Sequence, residues 1–239
     1  MNTQTLPSPK LLLRDHLAFA AMTAAVSFAF IAAMTIVYDI RSENAVNQSF
    51  WAAAVTGVAP PYALGIGIYL MVVTFPRYVL YGETRKRFVQ RIVLFSVPFT
   101  VGLTLLALAG WLLEALLYRS AGWNHAVDRN HLFASSRDIP QFMLELFVTV
   151  LPWFAVGSLI GAIYLGPQRL LLAAIPLGIA GVALVGILLG LDEGPAGLVQ
   201  NAIHPDKNIA LAILMSLAVT VAALAATRAV TREMPIQNQ

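Results

Sequence analysis

The sequence predicts an all-α membrane protein, a polytopic bundle of six transmembrane helices with both termini cytoplasmic. Three observations lead there. Of 239 residues, 59% are hydrophobic and 11% charged, against roughly 25% charged in a soluble domain. Six blocks, 17–38, 51–75, 92–118, 140–165, 170–191 and 208–227, are broken by charge only at Glu114 and Glu145. Basic residues fall in the gaps between blocks, heavily on alternate sides. About 20 apolar residues suffice to cross the hydrocarbon core. In lipid the backbone has to satisfy its own hydrogen bonds, so each block should be helical.

Composition sets further bounds. No stretch outside the blocks is long enough for a separate globular domain, so 1–239 reads as one transmembrane domain. There is no cysteine, which excludes disulfides, thiol catalysis and thiolate metal sites. The net charge of +3 is explained by basic cytoplasmic loops rather than by nucleic-acid binding.

Along the chain, 1–16 reads as a cytoplasmic tail. Ser8-Pro9 is a helix-start signal. The segment Lys10–His16 fits either an amphipathic interfacial helix or the frayed start of the first span. The first block has 22 residues, longer than the roughly 7–15 of a signal-peptide core, so it is expected to remain as an anchor. Span two carries Pro60-Pro61, Gly65 and Gly67, and span five carries Pro176 and Gly178. Proline within a helix frees a carbonyl and kinks the chain, so these spans are either moving parts or static packing devices. Gly157…Gly161 and Gly186…Gly190 match the small-xxx-small spacing of close helix packing, without saying which helices pair. The long loops 119–139 and 192–207 lie on the outer side, and part of the second, from Ala196 to Ile203, has the apolar character to dip back toward the membrane.

Orientation comes from Lys and Arg. The tails and the loops after spans two and four hold Lys10, Arg14, Arg77, Arg85, Lys86, Arg87, Arg91, Arg169, Arg228 and Arg232; the other loops hold Arg41, Arg119, Arg129, Arg137 and Lys207. The richer set belongs in the cytoplasm.

That places 76–91 inside the cell as a short element between two spans, which makes it a lever for any soluble partner that grips it. Gly82 permits a tight turn and Thr84 can cap the helix beginning at Arg85. Phe88 offers an apolar knob, and Arg85, Lys86 and Arg87 can meet acidic groups or anionic lipid heads. The arginines alone are explained by topology. The order Phe75-Pro76, then Gly82-Glu83-Thr84-Arg85-Lys86-Arg87-Phe88, then a long apolar span ending at Leu112-Leu113-Glu114 before Gly122-Trp123, resembles the type-2 ABC exporter permeases. It is most similar to the small six-span bacterial members of bacitracin or lantibiotic type, over residues 75–165.

The resemblance implies a permease subunit of the bacterial cytoplasmic membrane. It implies a second permease subunit, most simply a homodimer, and two copies of a separate ABC ATPase that bring ATP and Mg. Gly82, Thr84, Arg85 and Phe88 would form the coupling element. Spans two and five would line the transport path, whose candidates are Pro60, Pro61, Tyr62, Tyr69, Pro176, Glu114 and Glu145. Glu83 departs from the apolar residue usual at its position. No Gly-x-x-x-x-Gly-Lys-Ser/Thr occurs, so this chain has no P-loop.

Two further readings concern function. Glu114 and Glu145 are functional candidates as intramembrane carboxylates. Their places near span ends favour interfacial groups, paired with Arg119 or Arg137 or hydrated, and Glu114→Gln is expected to change transport less than tenfold, roughly 1.4 kcal/mol. His125 and His131 lack a third ligand at fixed spacing, so no metal site is expected. No span holds both Ser and His, no His-Glu-x-x-His occurs and no paired Asp is present, so an intramembrane enzyme is disfavoured. The expected function is efflux of an apolar or amphipathic peptide, antibiotic or lipid, the alternative being a non-transporting accessory or sensor subunit.

Overall fold

A computed structural model of the chain describes residues 17–18, 20–29, 32–33, 35, 49–127, 130–191, 195–198 and 206–233. In order, α1 covers Ala20–Ala29 and α2 covers Phe50–Tyr69, running through a π-turn at Leu70–Thr74 into α3, Phe75–Leu80. Then come α4, Arg85–Ala121, and α5, Ile139–Leu165. A 3₁₀ turn at Gln168–Leu170 leads into α6, Leu171–Leu189, and α7 is Ile209–Glu233. There is no strand among the described residues.

Among the described residues five helices are long and apolar enough to cross a membrane: Phe50–Leu80, Arg85–Ala121, Ile139–Leu165, Gln168–Leu189 and Ile209–Arg232. The chain is therefore a polytopic helical membrane protein. The expected first span is described only in part, through α1. The tail 1–16, with its amphipathic-helix reading, lies outside the described residues.

The fold is organised around α5. Through its central stretch 78% of residues are buried, against 17% for α6, and α5 touches α2, α4, α6 and α7. The α2–α5 contact is the most extensive, and glycine sets its distance. A Cβ on Gly157 would lie 2.1 Å from the Leu64 carbonyl oxygen, and one on Gly67 would lie 2.4 Å from that of Phe154. The two backbones thus touch directly, the geometry that small residues allow in lipid. The Gly157…Gly161 pattern pairs α5 with α2. The Gly186…Gly190 pattern does not pair two spans: Gly186 makes room for Ala196, in a short helical stretch at 195–198, and Gly190 for the Lys207 side chain. Ala196 is buried against α6; residues 199–203 of that segment lie outside the described residues.

Aromatic side chains fill the remainder of the core. Phe95, Phe99 and Phe154 stack where α4 meets α5, with centroids 5.2–5.9 Å apart. The indole of Trp51 occupies the space beside Gly110, where a Cβ would clash at 2.2 Å, and its Nε1 donates to the Ala107 carbonyl at 2.9 Å. Several Ser and Thr inside the helices bond back to carbonyls one turn earlier, as Thr100 does to Ser96 and Thr227 to Ala223, which satisfies those hydroxyls without water.

The prolines act differently from one another. Pro76 stands directly after the π-turn, where the Phe75 N–H reaches back to Leu70. The wider turn accommodates a ring that would otherwise press on the Val72 carbonyl. Pro152 cannot bond the Val148 carbonyl, and Ser216 of α7 donates to that oxygen instead at 2.7 Å, which stitches α7 to α5.

Replacing Gly157 by Val should lower the unfolding free energy by about 3 kcal/mol, because backbone rather than a movable side chain opposes the new atoms. Gly65→Ala, at a position open to 4 Å, should stay within about 0.5 kcal/mol. Reversible unfolding in mixed detergent measures both.

Candidate functional site

Three places bring together the residues that carry chemistry. The first is the end of the bundle opposite the α3–α4 turn. Glu114 is only 2% exposed. Its carboxylate accepts from the Ser49 hydroxyl, from the Phe50 and Trp51 backbone N–H groups at 3.1 and 2.9 Å, and faces His125 Nε2 at 3.1 Å. It thus caps the N-terminus of α2 from a neighbouring helix, where orphan N–H groups and the helix dipole favour an anion. Ser49 completes the cap by accepting from Ala52 N–H at 3.1 Å, while its own N–H donates to the Ala126 carbonyl at 2.7 Å.

Glu145 repeats the arrangement on α5. It is 1% exposed, accepts from Leu132 N–H at 2.7 Å and lies 2.7 Å from His131 Nδ1. Lys207 Nζ donates to the His131 carbonyl at 3.1 Å. Between the two pairs stands an aromatic wall: His125 lies against Trp111, Trp111 against Phe133 and Phe142, and Phe133 against His131, with centroids 4.4–5.2 Å apart.

The interfacial reading of both carboxylates is therefore corrected. Arg119 and Arg137 are exposed, and neither is a partner of Glu114 or Glu145. The helices turn both carboxylates inward because each finds backbone N–H groups there, which outweighs hydration at a span end. The histidines serve separate carboxylates, and among the described residues no three His, Asp or Glu side chains converge as a metal site would require. The constellation holds a loop to the bundle; among the described residues no nucleophile is joined to either imidazole.

The loop leading into α5 carries its own clamp. The Asp138 carboxylate accepts from Ala134 N–H at 3.0 Å and from Ser135 N–H at 2.9 Å. These bonds, Ala134 first, hold its pKa below the usual carboxylate range.

The second place is the α3–α4 turn. Gly82, at φ 84°, occupies the left-handed region that favours glycine. Thr84 caps α4 by accepting from Arg87 N–H at 3.4 Å. Both expectations hold. Glu83 forms an ion pair with Arg91 at 3.3 Å, and that guanidinium lies 5.6 Å over the Tyr78 ring.

Two expectations here are corrected. Phe88 is 3% exposed, packed between Phe75 and Tyr78 with both centroids at 5.2 Å. It braces the hairpin from inside, and burial of its ring removes it as a knob. Arg85 is not simply a free surface cation, since its Nη1 donates to the Thr231 carbonyl near the end of α7 at 3.4 Å. The exposed tip instead consists of Leu80, 84% exposed, Tyr81, 56% exposed, Lys86 and Arg87.

The third place is a cleft of about 180 Å³ between α2, α5 and α6, bordered by Pro60, Pro61 and Glu145 together with Thr56, Gly57 and Thr149. Three of the seven transport-path candidates meet there. The others do not: Tyr62 borders a smaller apolar cavity of about 110 Å³ against α1 and α4, Tyr69 and Pro176 are exposed, and Glu114 belongs to the α2 cap. Sequence reading missed Thr56 and Gly57, although each stands four residues before a proline, and that spacing marks the carbonyls the prolines free.

Comparison with family models, with curated proteins and with solved structures finds no match to this chain.

Glu114→Ala leaves the N–H groups of Phe50 and Trp51 buried without an acceptor, and should cost about 3 kcal/mol; thermal melting in detergent measures the loss. Asp138 has a depressed folded pKa, so its stabilisation is present above about pH 3.9, its unfolded value, and is lost as pH falls through the lower folded value. Amide exchange at Ala134 and Ser135 should accelerate relative to the rest of the bundle over that acid range, and Asp138→Asn should abolish the pH dependence.

Proposed function

We propose that this chain is the membrane-spanning permease subunit of an ABC-type exporter, with ATP hydrolysed by a separate subunit. The observation that carries this reading is the α3–α4 hairpin, with its glycine turn, threonine cap and buried Phe88. The continuous helix Phe50–Leu80 has 31 residues and α4 has 37, which is about 46 and 55 Å of helix against a hydrocarbon core of about 30 Å. Both overshoot the core, and a four-residue connection, Tyr81–Thr84, joins them. The charge count favours the cytoplasm for this end.

A hairpin fixed by a glycine turn, a threonine cap and a buried Phe88 moves as one body. Its tip presents Leu80 and Tyr81 beside Lys86 and Arg87, an apolar patch with a basic rim suited to a cleft with acidic edges. A push there acts on α2 and α4 directly. It acts on α5 through the Gly67–Gly157 contact and on α7 through Arg85. By this reading two ATPase subunits close on ATP and tilt the hairpins of two permease subunits, most simply a homodimer. The scarcity of charge along the helices suits an apolar or amphipathic substrate.

The test is recovery of an ATPase with the tagged protein from its native membrane. Leu80→Asp combined with Tyr81→Ala should lower that recovery about tenfold, roughly 1.4 kcal/mol in affinity, with the melting temperature unchanged. Phe88→Ala is unsuited to the purpose, since removing a buried ring costs about 3–5 kcal/mol. Absence of any co-purifying ATPase with the tip intact would replace the exporter reading with that of an accessory or sensor subunit.

A further inference from the structure

The cleft between α2, α5 and α6 has an unusual chemical balance. A helical carbonyl normally accepts from the N–H four residues on, and the residues four on from Thr56 and Gly57 are Pro60 and Pro61. Neither proline has an N–H to give. Where Pro152 creates the same situation, Ser216 from α7 supplies the missing donor; at Thr56 and Gly57 the residues concerned border the cleft.

The side chains around the cleft add further acceptors. The Thr56 hydroxyl donates to the Ala52 carbonyl at 2.9 Å, and the Thr149 hydroxyl donates to the Glu145 carbonyl. Both protons point into helices, so each oxygen is left with lone pairs. Glu145 adds a carboxylate held by a backbone N–H and an imidazole. Among the described residues no Lys or Arg borders the cleft, and Trp153 is the one side chain there with an N–H. The nearby ammonium of Lys207 is directed at the His131 carbonyl.

From the start of α2 at Phe50, Thr56 and Pro61 are six and eleven residues along, about 9 and 16 Å of rise. That depth is within the apolar span, where a carbonyl that loses its helical N–H donor is costly.

We infer that this cleft is a binding site for a monovalent cation, coordinated by the Thr56 and Gly57 carbonyls and the Thr149 hydroxyl, with Glu145 supplying the countercharge. An acceptor-rich, donor-poor space in hydrocarbon is completed by a ligand that brings only positive charge or N–H donors. An alkali-metal ion and a primary ammonium share that chemistry. The inference stands on the cleft alone and does not require the exporter reading.

The experiment uses the purified full chain in detergent, melted at constant ionic strength while choline chloride is replaced by sodium, potassium or methylammonium chloride. A ligand that binds the folded state raises the melting temperature in a saturable way, by about 3 °C or more well above its dissociation constant. Such a rise is expected with at least one of the three, and which one distinguishes metal ion from ammonium. Gly57→Val adds side-chain atoms at a residue bordering the cleft, where a Cβ meets nothing within 4 Å. It should weaken the apparent affinity at least about tenfold while the melting temperature in choline stays within about 2 °C. If Gly57→Val melts early in choline, Thr149→Val carries the same comparison. No saturable rise with any of the three cations overturns the site, and so does an unchanged affinity in the variant.

Discussion

Backbone-to-backbone contact between α2 and α5 is the constraint on which the other features depend. In lipid no hydrophobic force drives one apolar helix onto another, so close packing has to do so. Gly67, Gly157 and Gly161 remove the side chains that would hold the helices apart. With α2 seated, Trp51 reaches the gap at Gly110, Glu114 meets the first N–H groups of α2, and the cleft bordered by Pro60 and Glu145 acquires its walls. Moving α2 away by the width of a methyl group would disturb all three.

Polar groups in this bundle are placed by the same economy of donors and acceptors. Glu114 and Glu145 answer backbone N–H groups that have no helical partner, at the head of α2 and in the loop at Leu132. Intramembrane carboxylates usually invite a functional reading. Here the first is accounted for as a cap borrowed from another helix. The second ties down a loop and also borders a cleft, and it is the cleft, with its freed carbonyls, that gives the second carboxylate a use beyond tethering.

The α3–α4 hairpin shows how a short motif changes meaning once its surroundings are known. Gly82 and Thr84 do locally what their residue types dictate, a left-handed turn and a helix cap. Phe88 and Arg85 have long side chains whose roles depend on what lies within reach. Phe75 and Tyr78 enclose the first, and the end of α7 engages the second. The apolar tip falls to Leu80 and Tyr81, residues that a reading of charge and capping passes over.

Much of the architecture was legible in the amino-acid order. Length and hydropathy determine that blocks of this kind are helices, because an unpaired backbone in lipid is too costly to persist. The five described spans begin and end within a few residues of the blocks, except where α2 and α4 continue past them into the hairpin. Proline positions determine which carbonyls are freed. What the sequence could not determine was partnership: that Gly157 faces α2, that Gly186 faces Ala196, that Glu114 turns inward to Phe50 rather than outward to Arg119. Those choices depend on distances between segments far apart in the chain, and only the packed bundle sets them.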